Sequence, residues 1–190
     1  APALAALAGK RFGVAELGAA PDRWGRRVVD LVDDGGRSVA LDLIARGLAL
    51  ARAEADIRDC TAERLGAEAG ARAAAKGLWA DRDVLLDAAD AAALAKADGR
   101  FVLVEGVVRR VGEGRAKVYL DFAGHNGFSV VAAKKAEPSF RRSGVDLKAL
   151  AGRRVLVRGV MDDRFGPRIE IADPAMIEIL AGAKGTGRGE

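Results

Sequence analysis

Cysteine and histidine are nearly missing from these 190 residues, with Cys60 and His125 each the only one of its kind. One cysteine excludes an internal disulfide, and one of each excludes a zinc site built from cysteine and histidine. Cys60, just ahead of an expected helix start, reads as a small packed residue rather than a reactive thiol. His125, in "GHNG", reads as a loop residue. Aromatics are scarce at 5%, with one tyrosine and two tryptophans, so base stacking has few side chains to draw on. No apolar run reaches the roughly 18 residues that cross a bilayer, and no membrane span is expected. The opening "APALAALAGK" has no basic segment before its apolar run, so it is not a complete signal peptide, and the sequence reads as though it began in mid-protein. Neither sign of charge dominates: up to residue 82 there are 13 basic and 12 acidic residues, and beyond it 18 and 15. Affinity for nucleic acid then has to come from local clusters of arginine and lysine rather than a global field.

What is present is an ordinary folded composition, half apolar and about a third charged, enough for one large domain or two small ones. Residues 1–8 have helix-forming composition and stop at Gly9. Lys10 to Leu17 and Val28 to Val32 read as two strands of an antiparallel hairpin around "DRWGRR", with "DDGG" turning the chain after the second. Ser38 is an N-cap for a helix whose Leu41, Ile44, Ala45 and Leu48 share a face, and Gly47 ends it. A second helix is expected from Thr61 to Gly77, with Leu78 folding back on Ala73 and Trp79 anchoring beside it. "DRDVLLDAADAAALAKADG" reads as a connecting helix over 83–99, capped by Asp83 and stopped by Gly99.

From Phe101 the chain turns β-rich. Five strand candidates, "FVLVEGVVRRV", "KVYLDF", "FSVVAA", "RVLVRGVM" and "RIEIADPAMIEIL", have barrel-like spacing, and a short helix fits between the third and fourth. That order is the order of an OB-fold. The expected class is α+β, mostly β barrels: a partial barrel with its helices over 1–82, then an OB-like five-stranded barrel over 100–180. The tail 181–190 lacks core-forming residues and reads as flexible. Alternation in "KVYLDF" sends Val118, Leu120 and Phe122 inward and leaves Lys117 and Tyr119 facing outward. Phe101, Val155, Val157, Ile169 and Ile171 read as core. Lys117 and Tyr119, with Lys134 nearby, are the candidates for a nucleic-acid surface on this domain. A basic but inert barrel face is the alternative. "DRWGRR" is echoed by "DRFGPR" at Asp163 to Arg168, and both are placed to join two strands.

"DRWGR", "LDLIARGLALA" and "AEAGARAAAKGLWA", in this order and spacing, resemble the C-terminal half of the thermonuclease family, the staphylococcal-nuclease-like phosphodiesterases. The likeness covers about residues 1–80 and implies that the first barrel is a partial nuclease-type OB-fold with its helices. A longer, two-domain bacterial branch with an appended OB-like domain is similar through "GRFVLVEGVV", "KVYLDF", "LAGRRVLVRGV" and "GPRIEI". The resemblance implies metal-dependent hydrolysis of DNA or RNA, Ca2+ as cofactor, and a periplasmic or secreted protein. It also implies that Arg26, which matches the arginine of the D-(R/K)-aromatic-G-R segment, binds the substrate phosphate. A guanidinium suits that role because its planar fork meets two phosphate oxygens. Arg23 and Arg27 flank it, and a solvated arginine-rich turn is the plain alternative.

The family places its metal-binding carboxylates, its water-activating carboxylate and a second arginine on three N-terminal strands, around D-G-D-T and R-x5-D-(T/A)-P-E segments. Neither segment occurs here. Asp30, Asp33 and Asp34 are close to Arg26 in sequence but read as exposed residues of a strand end and turn. The chain is therefore expected to lack the calcium ligands, to be inactive alone, and to need a missing N-terminal segment or a partner chain to complete its first barrel. Where relatives carry an aromatic for the base, this chain has Arg52, a phosphate ligand or a solvated helix flank.

Overall fold

The computed structural model describes residues 5–17, 20–53, 58–81, 84–122 and 127–180. The chain divides into two units, residues 1–82 and 83–190. Residues 1–4, Asp83, His125 and the tail 181–190 lie outside the described residues. Among the described residues no helix is long and apolar enough to cross a membrane.

In the first unit β1 (Gly13–Leu17) and β2 (Val28–Val32) form an antiparallel hairpin, with Val14 opposite Leu31 and Glu16 opposite Val29. Val14, Val29 and Leu31 share one face and are exposed. Helix α1 (Val39–Ala45) starts at Ser38, whose side chain accepts from the Leu41 N–H. Helix α2 (Arg58–Ala73) begins before Thr61, so the half-buried Cys60 lies inside it rather than ahead of it. Its end also differs from expectation. The closing bond runs from the Lys76 N–H to the Ala71 carbonyl, 3.0 Å, with Ala75 at φ +48. Gly77 is used instead for a close approach to Gly47, and a short 3-10 turn over Gly77–Trp79 follows. The α2 side chain of Glu68 is buried and accepts the Ala51 N–H at 2.6 Å, which fixes the segment after α1.

The stretch 83–99 is not one helix. Leu85–Asp87 forms β3, paired in parallel with β4 (Phe101–Val107), and only Ala91–Ala95 forms a helix, α3, capped by Asp90 rather than Asp83. The backbone groups along the edge of β4 bond Leu85 and Leu86 as a strand. The Asp87 carboxylate then accepts the Ala89 N–H and turns the chain.

The remaining strands are β5 (Arg110–Glu113), β6 (Lys117–Asp121), β7 (Ser129–Ala133), β8 (Arg154–Asp162), β9 (Arg168–Ile171) and β10 (Ile177–Ile179), with α4 (Glu137–Arg142) between β7 and β8. Pairing runs β3-β4-β8-β9-β7-β6-β5, and β10 adds to β8. β7 and β9 are parallel while β4 and β8 are antiparallel, which is the OB-type order. β4 and β5 are successive parts of the first strand candidate, parted at Val108 and Arg109. The Val108 N–H reaches the Arg153 carbonyl and the Arg109 N–H reaches that of Asp121. One stretch of chain thus serves both ends of the pairing path, and the sheet curls. Val104, Val118, Leu120, Phe122, Phe128, Val155, Val157, Ile169 and Ile171 fill its interior, while Phe101 is half-buried. Gly106 is required on β4, because a Cβ there would meet Phe122 at 2.9 Å and Ala88 at 2.5 Å.

Candidate functional site

The hairpin loop of the first unit is built by one carboxylate. Asp22 Oδ1 accepts the N–H groups of Trp24 and Arg26, both at 2.9 Å, and Oδ2 accepts the Arg26 Nε–H at 2.7 Å. The Asp22 N–H donates to the Arg26 carbonyl, the Gly25 N–H to the Asp22 carbonyl, and Gly25 supplies φ +77. The Arg26 N–H above all holds the Asp22 carboxyl below its ordinary value; the upward push from burial comes next in size, and the Arg26 guanidinium and the Trp24 N–H lower the value further. The Arg26 side chain is 72% exposed, and its Nε–H is engaged by Asp22. Arg27 does not share this site, for it pairs with Glu16 at 2.6 Å.

The same turn occurs twice. In Asp33–Arg37 the Asp33 carboxylate accepts the N–H groups of Gly35 and Arg37 and the Arg37 Nε–H, at 2.9, 3.0 and 2.9 Å, and Gly36 takes φ +74. Each is D-x-x-G-R, so an arginine locked to the aspartate four residues earlier belongs to the turn itself. The sequence echo "DRFGPR" joins β8 to β9 but is bonded differently. There Asp162 takes the forks of both Arg164 and Arg168.

The other candidates lie apart. Arg23 stands over the Trp24 ring with its guanidinium carbon 3.8 Å from the centroid, and Arg26 is at 4.8 Å. Arg52 is exposed between the buried Ala51 and Ala53. Asp30 is buried, not exposed as the sequence implies, because it accepts from Ser38 Oγ at 2.6 Å and Arg64 Nη2 at 3.0 Å. Asp22 is bound to Arg26 and Asp33 to Arg37, and of the nearby acids only Asp34 has no described ion pair. Among the described residues no group of three or more His, Cys, Asp or Glu is placed to hold a metal ion, and the residues present do not fit a calcium site. A cleft of about 440 Å³ in this unit is lined by Lys10, Arg11, Phe12, Asp34 and Arg37 among others, without Arg26.

On the second unit Lys117 and Tyr119 alternate with buried Val118 and Leu120 and share the outer face of β6. Tyr119 packs over Gly114, where a Cβ would meet its ring at 3.2 Å. The cations here have acidic neighbours: Lys117 with Glu170 at 3.4 Å, Lys134 with Glu113 at 2.9 Å, and Arg110 with Asp121 at 2.8 Å. Lys148 also reaches Glu113, at 2.9 Å. Lys148 first and Lys134 second hold the Glu113 carboxyl below its ordinary value. Such exposed pairs are weak and exchangeable, so the face is nearly neutral at rest without being closed to a polyanion. The pairing partners, Asp22 and Glu113 above all, escape a reading of the sequence by basic clusters. The repeated D-x-x-G-R pattern was the signal available for the first.

No curated protein matches the chain. Among solved structures it is similar to an OBody bound to hen egg-white lysozyme, at 18% identity and a TM-score of 0.34, over 46% of this chain and 87% of that one. It is also similar to the S. pombe Stn1-Ten1 complex, at 16% identity and 0.34, over 43% and 59%. Asparaginyl-tRNA synthetase from Pyrococcus horikoshii, complexed with asparaginyl-adenylate, matches at 20% identity and 0.34, over 46% of this chain and 20% of that one. At these scores nothing about function follows from them. Residues 5–81, within the first unit, match the family model described as Staphylococcal nuclease homologue.

Proposed function

We propose that this chain engages the phosphate backbone of DNA or RNA through its nuclease-homologue unit, with Arg26 as the phosphate ligand, and that its parent activity is calcium-dependent phosphodiester hydrolysis. The family match over residues 5–81 supports the substrate class. The carrying observation is that Arg26, within the matched residues 5–81, keeps its guanidinium 72% exposed while Asp22 takes its Nε–H and orients it, a lock shared with the Asp33–Arg37 turn. A side chain oriented beforehand loses less entropy when it meets an anion. The chain's own part is binding and orienting the phosphate, and no hydrolytic step is assigned to it, since its acids do not fit the metal. A further β-segment, from a preceding stretch of chain or a partner, would cover the exposed Val14, Val29 and Leu31 and bring the missing carboxylates.

Calcium-dependent nuclease assays on the purified 190-residue protein test this. Little or no hydrolysis is expected, with salt-dependent binding of oligonucleotides that Arg26→Ala weakens. Robust turnover would overturn the account. A second reading, a non-catalytic nucleic-acid-binding or scaffold OB module, is favoured by Lys117 and Tyr119 sharing the outer face of β6. Binding weakened by Lys117→Ala and Tyr119→Ala but indifferent to Arg26→Ala would select it.

A further inference from the structure

The two D-x-x-G-R turns of the first unit have the same hydrogen bonds and the same left-handed glycine, but differ at the third position. Trp24 stands in one and Gly35 in the other. The turn therefore folds without an aromatic. Trp24 is also not a core residue: it is 63% exposed, while the only other tryptophan, Trp79, is 7% exposed. The described contacts to its ring face come from guanidinium groups, those of Arg23 and Arg26. The two guanidinium contacts return little at an exposed site, while the indole leaves most of its apolar surface in water, and the turn's own hydrogen bonds do not need it.

Resting on the reading of Arg26 as a phosphate ligand, we propose that Trp24 is the stacking platform for a base of single-stranded nucleic acid whose adjacent phosphate lies on Arg26. The tip carries Arg23, Arg26 and Arg27 against Asp22 and Glu16, a net positive charge, and among the described residues Arg23 has no carboxylate partner. A planar ring beside a phosphate-binding guanidinium matches the repeat of a single strand, in which bases are free to stack on a side chain. In a duplex both faces of each base are already stacked on neighbours. The second unit supplies a contrast. Phe165 is 82% exposed with Arg168 at 5.1 Å, but Asp162, Asp163 and Asp98 outnumber Arg164 and Arg168 around it, so that tip repels a polyanion.

The test compares an oligodeoxythymidylate with an abasic oligomer of equal length, at low salt, on the full chain. Stacking predicts that Trp24→Leu weakens the thymidylate about 5- to 150-fold, leaves the abasic oligomer unchanged, and is largely rescued by Trp24→Phe. It also predicts that the thymidylate, and not the abasic oligomer, quenches the intrinsic fluorescence. If wild type binds both oligomers alike and Trp24→Leu does not separate them, stacking is overturned while the phosphate role of Arg26 stands. If wild type binds neither, both fall.

Discussion

Gly47 and Gly77 lie back to back: a Cβ on Gly47 would sit 2.1 Å from the Lys76 carbonyl oxygen, and one on Gly77 would sit 2.4 Å from the Gly47 carbonyl oxygen. The Leu78 N–H donates to that same Gly47 carbonyl at 2.8 Å. The contact joins the end of α1 to the 3-10 turn after α2 and so holds the helices that support the hairpin.

Two glycines of similar backbone angle should therefore respond very differently to alanine. Gly25 has φ +77 and open space around its Cβ position, so Gly25→Ala costs only the left-handed penalty, about 1 kcal/mol. Gly47→Ala adds a backbone clash at φ +69 and should cost about 3 kcal/mol or more. Urea unfolding of the two variants checks the order, and equal losses would contradict the packing described.

Much of this fold is legible in the sequence because local chemistry fixes it. Ser38 caps α1, the alternation of Val118 and Leu120 with Lys117 and Tyr119 gives β6 its inner and outer faces, and the strand order after Phe101 gives the OB topology. Readings fail where a distant partner decides. "DVLLDAADAAALAKA" is helical by composition, but β4 draws Leu85 and Leu86 into a strand. Asp30 looks like a surface residue until Arg64, far along the chain, arrives beside it. Of the candidate site, the position of Arg26 in its turn is legible. Its lock to Asp22 becomes legible once Asp33–Arg37 is recognised as the same turn.

The Asp22 buckle has a pH signature. Its carboxyl is held below the ordinary value, chiefly by the Arg26 N–H, so its contribution to stability is complete above the unfolded value near 3.9 and is lost as pH falls through the lower folded value. Carboxyl carbon NMR should give Asp22 a midpoint below about 3.9, with the Trp24 fluorescence changing in the same range. Asp33, depressed chiefly by the Arg37 N–H, should titrate similarly. A midpoint at or above the ordinary value would mean that the turn is open in solution.

Glu113 holds Lys134 and Lys148 together at the edge of the β6 face. Glu113→Gln removes the carboxylate without changing the side chain's size, which frees the Lys134 ammonium for phosphate and leaves Lys148 with Glu137 at 3.7 Å as its acidic neighbour. Single-stranded DNA should then bind several-fold tighter at low salt, with the log–log salt slope steeper by about 0.7 for each phosphate newly contacted. An unchanged slope would remove Lys134 from the nucleic-acid surface.

Asp30 and Arg64 form a buried ion pair, 3.0 Å apart, with Ser38 Oγ as a further donor to the carboxylate. Taking away one charge leaves the other desolvated, so Arg64→Met should cost about 3 kcal/mol or more by chemical denaturation. Adding Asp30→Asn should recover part of that loss, because the amide is neutral and can still accept from Ser38. The recovered part is the coupling read by the double-mutant cycle. Full additivity of the two losses would show that Arg64 acts through its methylene packing on the hairpin, and that the hairpin's hold on α2 does not depend on the charge pair.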